Sequence, residues 1–204
     1  MKLFGGAPVA LAPPMPEAPT ASWQQGLPEL AGLRARLREV SPADAAVLVE
    51  EIATSEVVRF LPPAPATAAG FESFINRAIQ GRASGECFCF AVLAPSDSMP
   101  VGLIMLRAPG SDHSAWDWGF VFGRRAWGTG LFAEAAGLVL AFAFNVVGID
   151  KLEAWSILPN GRAHGALAKL GAEPELRRQV RAPDGRFGDF ILWTLARPQP
   201  PTYL

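Results

Sequence analysis

Past an opening stretch with no periodic apolar positions, "GLRARLREV" alternates apolar and polar residues and predicts a first strand. "SPADAAVLVEEIA" then shifts to the spacing of a helix, with Ser41 placed to cap it, Pro42 at its first position and Asp44 in its first turn. "PATAAGFESFINRAIQGRA" predicts a second helix ending near Gly81. Three strand-like runs follow, "CFCFAVLA", "PVGLIMLRA" and "SAWDWGFVFG", separated by the turns "PSDSM" and "PGSD", the pattern of an antiparallel meander.

The second half reads differently. A long apolar helix is predicted from about Thr129 to Val147, then a strand "KLEAWSIL", a shorter helix "NGRAHGALAKLG" and two closing strands around "LRRQVRA" and "RFGDFILWTLA". Strands first, then a βαβα passage, then strands again predict an α/β sheet with helices on both faces, not a regular doubly wound parallel sheet.

Composition narrows the class. Of the 204 residues half are apolar, which suits one globular domain with a sizeable core, and the formal charge of −1 exerts no overall pull on nucleic acid or an anionic membrane. No nucleic-acid or membrane partner is expected. The opening "MKLFGGAPVALAPPMPEAPTASWQQGLPEL" has a lysine before an apolar run, but Pro8, Pro13, Pro14 and Pro16 break that run early. The expectation is a flexible Pro/Ala-rich arm over residues 1–28, a domain over 29–204 and a cytoplasmic location. "AAGLVLAFAFNVVGI" is shorter than the roughly 20 residues a bilayer needs and contains Asn145, so it reads as a buried helix. Cys87 and Cys89 alternate onto one strand face and lack the second pair a zinc site would need; they read as reduced packing residues, and no metal is expected.

The chemistry centres on "GRRAWGTGLFAEAAG", Gly123 to Gly137. A glycine pair between a strand and a helix lines up backbone N–H groups at the positive end of a helix, where an anion is favoured. Gly128, Gly130 and Ala133 fit the dinucleotide pattern G-x-G-x-x-[GA], and Asp150 stands at a suitable distance, but Asp150 precedes a strand instead of closing one. A nucleoside-triphosphate loop would need Gly-Lys-Ser/Thr, which is missing. The third reading is a diphosphate clamp. Backbone N–H groups from Ala126 to Leu131, with Arg124 or Arg125, would supply charge-assisted hydrogen bonds of about 1.5–3 kcal/mol each.

In this third reading "RRAWGTGLFAEA" resembles the Arg/Gln-x-x-Gly-x-Gly/Ala motif of the GNAT superfamily of N-acetyltransferases, in the form common to the branch with the ribosomal-protein-alanine acetyltransferases. "WDWGFVF" is similar to that branch's Glu-Ile-Gly-Tyr-x-Ile strand, and "NGRAHGALAKLGA" to its Asn-x-x-Ser...Lys-Leu-Gly-Phe helix, with Ala163 and Ala172 departing from the Ser and the aromatic. The resemblance spans about Leu33 to Arg197.

The resemblance implies a mixed, mostly antiparallel central sheet with helices on both faces and acetyl-CoA as cosubstrate. Phe120, Val121 and Phe122 would splay from the next strand and pair with the pantetheine amides, which Asn160 also contacts. Arg124, Arg125, Trp127, Gly128, Thr129, Gly130 and Leu131 would surround the diphosphate, with Trp127 mainly a packing residue. Asp117 holds the position of the family's strand glutamate and is the candidate proton acceptor, acting through water or with a raised pKa because an ordinary aspartate is too acidic to be a good base.

His113 and His164 read as surface residues, and Tyr203 lies too close to the end of the chain to serve as the acid. The function implied is transfer of an acetyl group to a primary amine, of a protein N-terminus or a small molecule, by direct attack in a ternary complex. The rival is an inactive coenzyme-binding regulatory or interaction protein. A homodimer and the acceptor's identity stay open.

Overall fold

The computed structural model describes residues 23–61, 64–110, 115–181 and 187–198. One eight-stranded sheet runs through them in the order β1-β2-β3-β4-β5-β6-β8-β7. Its first five strands are β1 (Leu30–Ala31), β2 (Arg36–Glu39), β3 (Cys87–Leu93), β4 (Gly102–Arg107) and β5 (Trp116–Phe122), each antiparallel to the next. Then β6 (Lys151–Ile157) lies parallel to β5, and β8 (Phe187–Ala196) sits between β6 and β7 (Glu173–Arg181), antiparallel to both. The meander and the two closing strands are as expected. The first strand is not one unit: residues 32–35 turn, leaving β1 and β2 as a small hairpin.

Helices cover both faces. On one side lie α1 (Ala45–Ile52), the single turn α2 (Ser55–Val58) and α3 (Ala68–Ser84); on the other lie α4 (Leu131–Ala141) and α5 (Gly161–Lys169). Ahead of α1, Ser41 and Asp44 form the reciprocal capping box over a short 3₁₀ turn, and the Asp44 carboxylate is also paired with Arg38 at 2.7 Å. In α3, Phe71, Ile75, Ala78 and Arg82 repeat at helical spacing and face inward. That helix runs past Gly81, where the lack of a side chain lets the strand cross closely: a Cβ there would stand 2.8 Å from that of Cys87. The long apolar segment is helical as expected, but α4 continues as a π-helical turn over Phe142–Val147.

The core beneath α4 is aromatic. Phe88 is fully buried, stacked on Trp116 at 5.4 Å and edge-on to Phe142 and Trp23. Trp23 and Leu27, which composition grouped with the arm, therefore pack on the body, and the buried Arg82 fixes that segment by donating to the Gln24 carbonyl while pairing with Glu39. The rest of the expected arm, residues 1–22, lies outside the described residues, as do His113 and Tyr203. Cys87 and Cys89 pack under α3 as free thiols, and burial pushes the Cys87 thiol up to about 11.

Candidate active site

Between β5 and β6 the sheet comes apart. The two strands share rungs only at Trp116/Leu152 and Asp117/Glu153, yet β5 continues to Phe122 and β6 to Ile157. Their outer edges stay paired, β5 to β4 and β6 to β8. Beyond Asp117 the two inner edges diverge with backbone N–H and C=O groups turned toward the gap, so an extended ligand carrying amides can complete both ladders. Phe120 and Phe122 turn their rings to the α4 side, against Phe132, while Val121 faces the α1–α3 side. What these three residues offer the gap is their backbone.

The wide end of the gap opens onto the clamp. After β5 a 3₁₀ turn (Arg124–Ala126) leads to Gly128 and Gly130, with φ of +75° and +81° that residues with a Cβ rarely adopt. The turn is held from within: the Trp127 indole donates to the Phe122 carbonyl at 2.9 Å, and Thr129 Oγ1 donates to the Ala126 carbonyl at 2.8 Å while accepting from Leu131 N–H. The N–H groups of Gly128, Thr129 and Gly130 have no partner among the described residues. They stand at the N-terminus of α4, where the helix favours negative charge.

Both arginines expected at this turn are engaged in ion pairs. Arg124 reaches Glu56 at 3.2 Å, and Arg125 reaches Glu51 at 2.7 Å and Asp97 at 3.5 Å, so both are held by carboxylates from α1, α2 and the β3–β4 loop. Arg34 and Arg162 have no ion-pair partner among the described residues. Arg34 comes within 3.6 Å of where a Cβ on Gly130 would stand, and the Arg162 guanidinium lies 3.6 Å above the Trp127 ring, bridging α5 to the clamp. Arg34 is placed by Glu134, which accepts from the N–H groups of Leu33 and Arg34 and so fastens the β1–β2 turn to α4. A cavity of about 300 Å³ beside the clamp is lined by Arg34, Asp97, Arg125 and Thr129.

Opposite the clamp, Asn160 caps α5 by accepting from Ala163 N–H at 3.2 Å, which leaves its amide NH₂ available. His164, expected on the surface, is half-buried and bonded through both nitrogens. Trp193 donates to Nδ1 at 3.0 Å, so Nε2 carries the proton and donates to the carbonyls of Ile157 and Leu158. His164 thus fixes the point where β6 leaves the sheet for Asn160.

Asp117 lies on the last shared rung, half-exposed and held by Arg107 through Nε at 2.9 Å. Its partner across that rung is Glu153, itself 3.2 Å from Lys151. Sequence reading missed Glu153 because only the parallel register sets it beside Asp117.

A family model for the acetyltransferase (GNAT) domain matches residues 34–173. No curated protein matches the chain. Among solved structures, the ribosomal-protein-S5-alanine acetyltransferase of Vibrio fischeri aligns with a TM-score of 0.73 at 16% identity over 83% of this chain and 96% of that one. RimJ of Mycobacterium smegmatis, in complex with CoA-disulfide, aligns with a TM-score of 0.73 at 18% identity over 83% and 87%. A GNAT-family acetyltransferase of Bacillus anthracis gives 0.71 at 19% identity over 83% and 98%. These structures share the fold, and the family model assigns the chain: it belongs to the GNAT acetyltransferases.

Proposed function

We propose that this GNAT acetyltransferase uses acetyl-CoA to acetylate a primary amine, on a protein N-terminus or a small molecule, by direct attack in a ternary complex. The observation that carries the reading is the split between β5 and β6, whose edges beyond Asp117 end at a turn with three N–H groups that have no partner among the described residues. The edges suit the amides of a pantetheine arm, which Asn160 meets from α5. The turn suits a diphosphate, with Arg34 and Arg162 as the cations available to it.

Within that arrangement the acceptor nitrogen attacks the thioester carbonyl carbon as its lone pair becomes free. The C–S bond breaks, the sulfur leaves with the electron pair, and the second proton, shed by the nitrogen as the amide forms, passes to that sulfur through water to give the free thiol. One proton must leave the incoming ammonium. A lysine-like amine with a pKa near ~10.4 is neutral in only about one molecule in a few thousand at pH 7, against roughly one in seven for an α-amine near ~7.8, so help with the proton matters more for the first. Asp117 relays that proton through water, its carboxylate kept in place by Arg107, with Glu153 alongside.

The test is Gly130→Glu studied by calorimetry with acetyl-CoA. A carboxylate and a side chain at φ +81° occupy the anion's place, and binding is expected to disappear in a chain that still folds. Unchanged affinity in the folded variant removes the clamp from the mechanism. Thiol release measured across N-terminal peptides, amino acids, polyamines and aminoglycosides identifies the acceptor class.

A further inference from the structure

The two faces of the sheet differ at the split. The clamp turn and Asn160 belong to α4 and α5 on one face, whereas strand alternation sets Asp117 and Glu153 on the other, with Trp155 the next residue of β6 on that same face. Over β3 to β5 this second face is covered by α1–α3, but among the described residues the apolar cluster beneath those helices includes none from β6, β7 or β8. Trp155 is left 42% exposed. Its register partner Leu192 on β8 and, beyond it, Leu176 on β7 extend an apolar row from the split, Leu176 being 49% exposed.

We propose that Trp155 recognises the acceptor and selects a primary amine joined to an apolar group, such as an N-terminal residue with an aliphatic or aromatic side chain. This rests on the acetyl-transfer reading of the split. A nucleophile must reach the thioester from the face the coenzyme does not occupy, which brings its nitrogen beside Asp117 and Glu153. The next position on the same strand face is about 7 Å further along, roughly the reach from an α-amine to the far end of a phenylalanine ring and close enough for the methyl groups of a leucine to touch. An indole there covers such a side chain, and its ring face also tolerates a neighbouring ammonium.

The charged groups around the row fit a monocation better than a polycation. Asp117 is paired with Arg107, and Glu153 and Glu175 share Lys151, so the carboxylates offer hydrogen-bond acceptors more than free negative charge. Arg178, on the same face of β7 beside Phe190, further disfavours a second positive charge on the acceptor.

The experiment measures initial rates of the full chain with acetyl-CoA and leucinamide, phenylalaninamide, glycinamide or spermidine, for the wild type, Trp155→Phe and Trp155→Ala. The wild type is expected to prefer leucinamide and phenylalaninamide over glycinamide by about tenfold or more in kcat/KM, with spermidine poorest. Trp155→Ala should erase that preference through the acceptor KM, leave the acetyl-CoA KM unchanged, and be largely rescued by Trp155→Phe.

A preference that survives Trp155→Ala overturns the proposal. So does an acetyl-CoA KM that moves with it, or a wild type favouring spermidine or acetylating none of the four. A loss of dimer in Trp155→Ala by light scattering also overturns it and assigns the row to a second copy of the chain. Calorimetric binding of acetyl-CoA by the wild type separates failure of this inference from failure of the coenzyme reading.

Discussion

The half of the sheet from β2 to β5 is a filled sandwich, with α1–α3 on one face and α4 on the other, and its central strands β3 and β4 read as near-continuous buried runs. The half formed by β6, β8 and β7 is packed on the α5 side through Leu152, Ala154, Ile191 and Trp193, while its other face carries Trp155 and Leu176 toward solvent. The first half therefore holds the fold together, and the second holds one wall of the cleft. Their junction is also the one parallel pairing among the described strands, broken after two rungs, so the shortest pairing between these long strands and the candidate site coincide.

The largest effect is expected in the filled half. Phe88→Ala removes a fully buried ring that touches Trp23, Trp116 and Phe142, and should cost about 3–5 kcal/mol in urea unfolding. A loss under about 1 kcal/mol would mean that this half is not the stabilising one. Trp23→Ala comes next, at about 2 kcal/mol, since the indole closes the same aromatic cluster from one edge and remains partly exposed. A melting temperature that does not move would place Trp23 outside the folded body.

The third effect concerns binding. Arg162→Ala removes a guanidinium stacked on Trp127 at the clamp's edge and should raise the dissociation constant for acetyl-CoA about tenfold, roughly 1.4 kcal/mol, with little change in unfolding. S-acetylpantetheine, which lacks the diphosphate, should bind both proteins alike. Equal weakening for the two ligands would show that Arg162 shapes the cleft and leaves the phosphates alone.

The filled half was largely legible in the sequence, because alternation and helical spacing report burial directly. Its errors are local. A turn after Ala31 is hidden in an alternating run, and Gly81 looks like a helix stop when its cause is the close passage of Cys87. The glycine turn at the head of α4 and Asn160 at the head of α5 stand where the sequence placed them, because each is contiguous with its helix in sequence.

The charge pattern was not legible. Arg124 and Arg125 are engaged by Glu56, Glu51 and Asp97 from distant segments, and Arg34 arrives at Gly130 only because Glu134 holds the β1–β2 turn. Asp117 and Glu153 meet through a register that no local pattern encodes, and His164 gains its role from Trp193 on another strand. Pairing between distant segments decides which polar groups are free, and a linear reading does not contain it.

The smallest effect is expected at the open half's outer edge. Leu176 is 49% exposed at an irregularity in the β7–β8 pairing, so Leu176→Ser loses little buried surface and should change stability by no more than about 0.5 kcal/mol. The same change on a covered face would cost several times more, because a buried Leu contributes about 1.5–3 kcal/mol through burial alone. Urea unfolding of Leu176→Ser beside Leu103→Ser, whose residue lies under α1–α3, measures that contrast in one protein. Equal losses would show that the β6–β8–β7 face is covered in solution by something as effective as α1–α3. If the loss at Leu176 appeared only at high protein concentration, the cover would be a second copy of the chain.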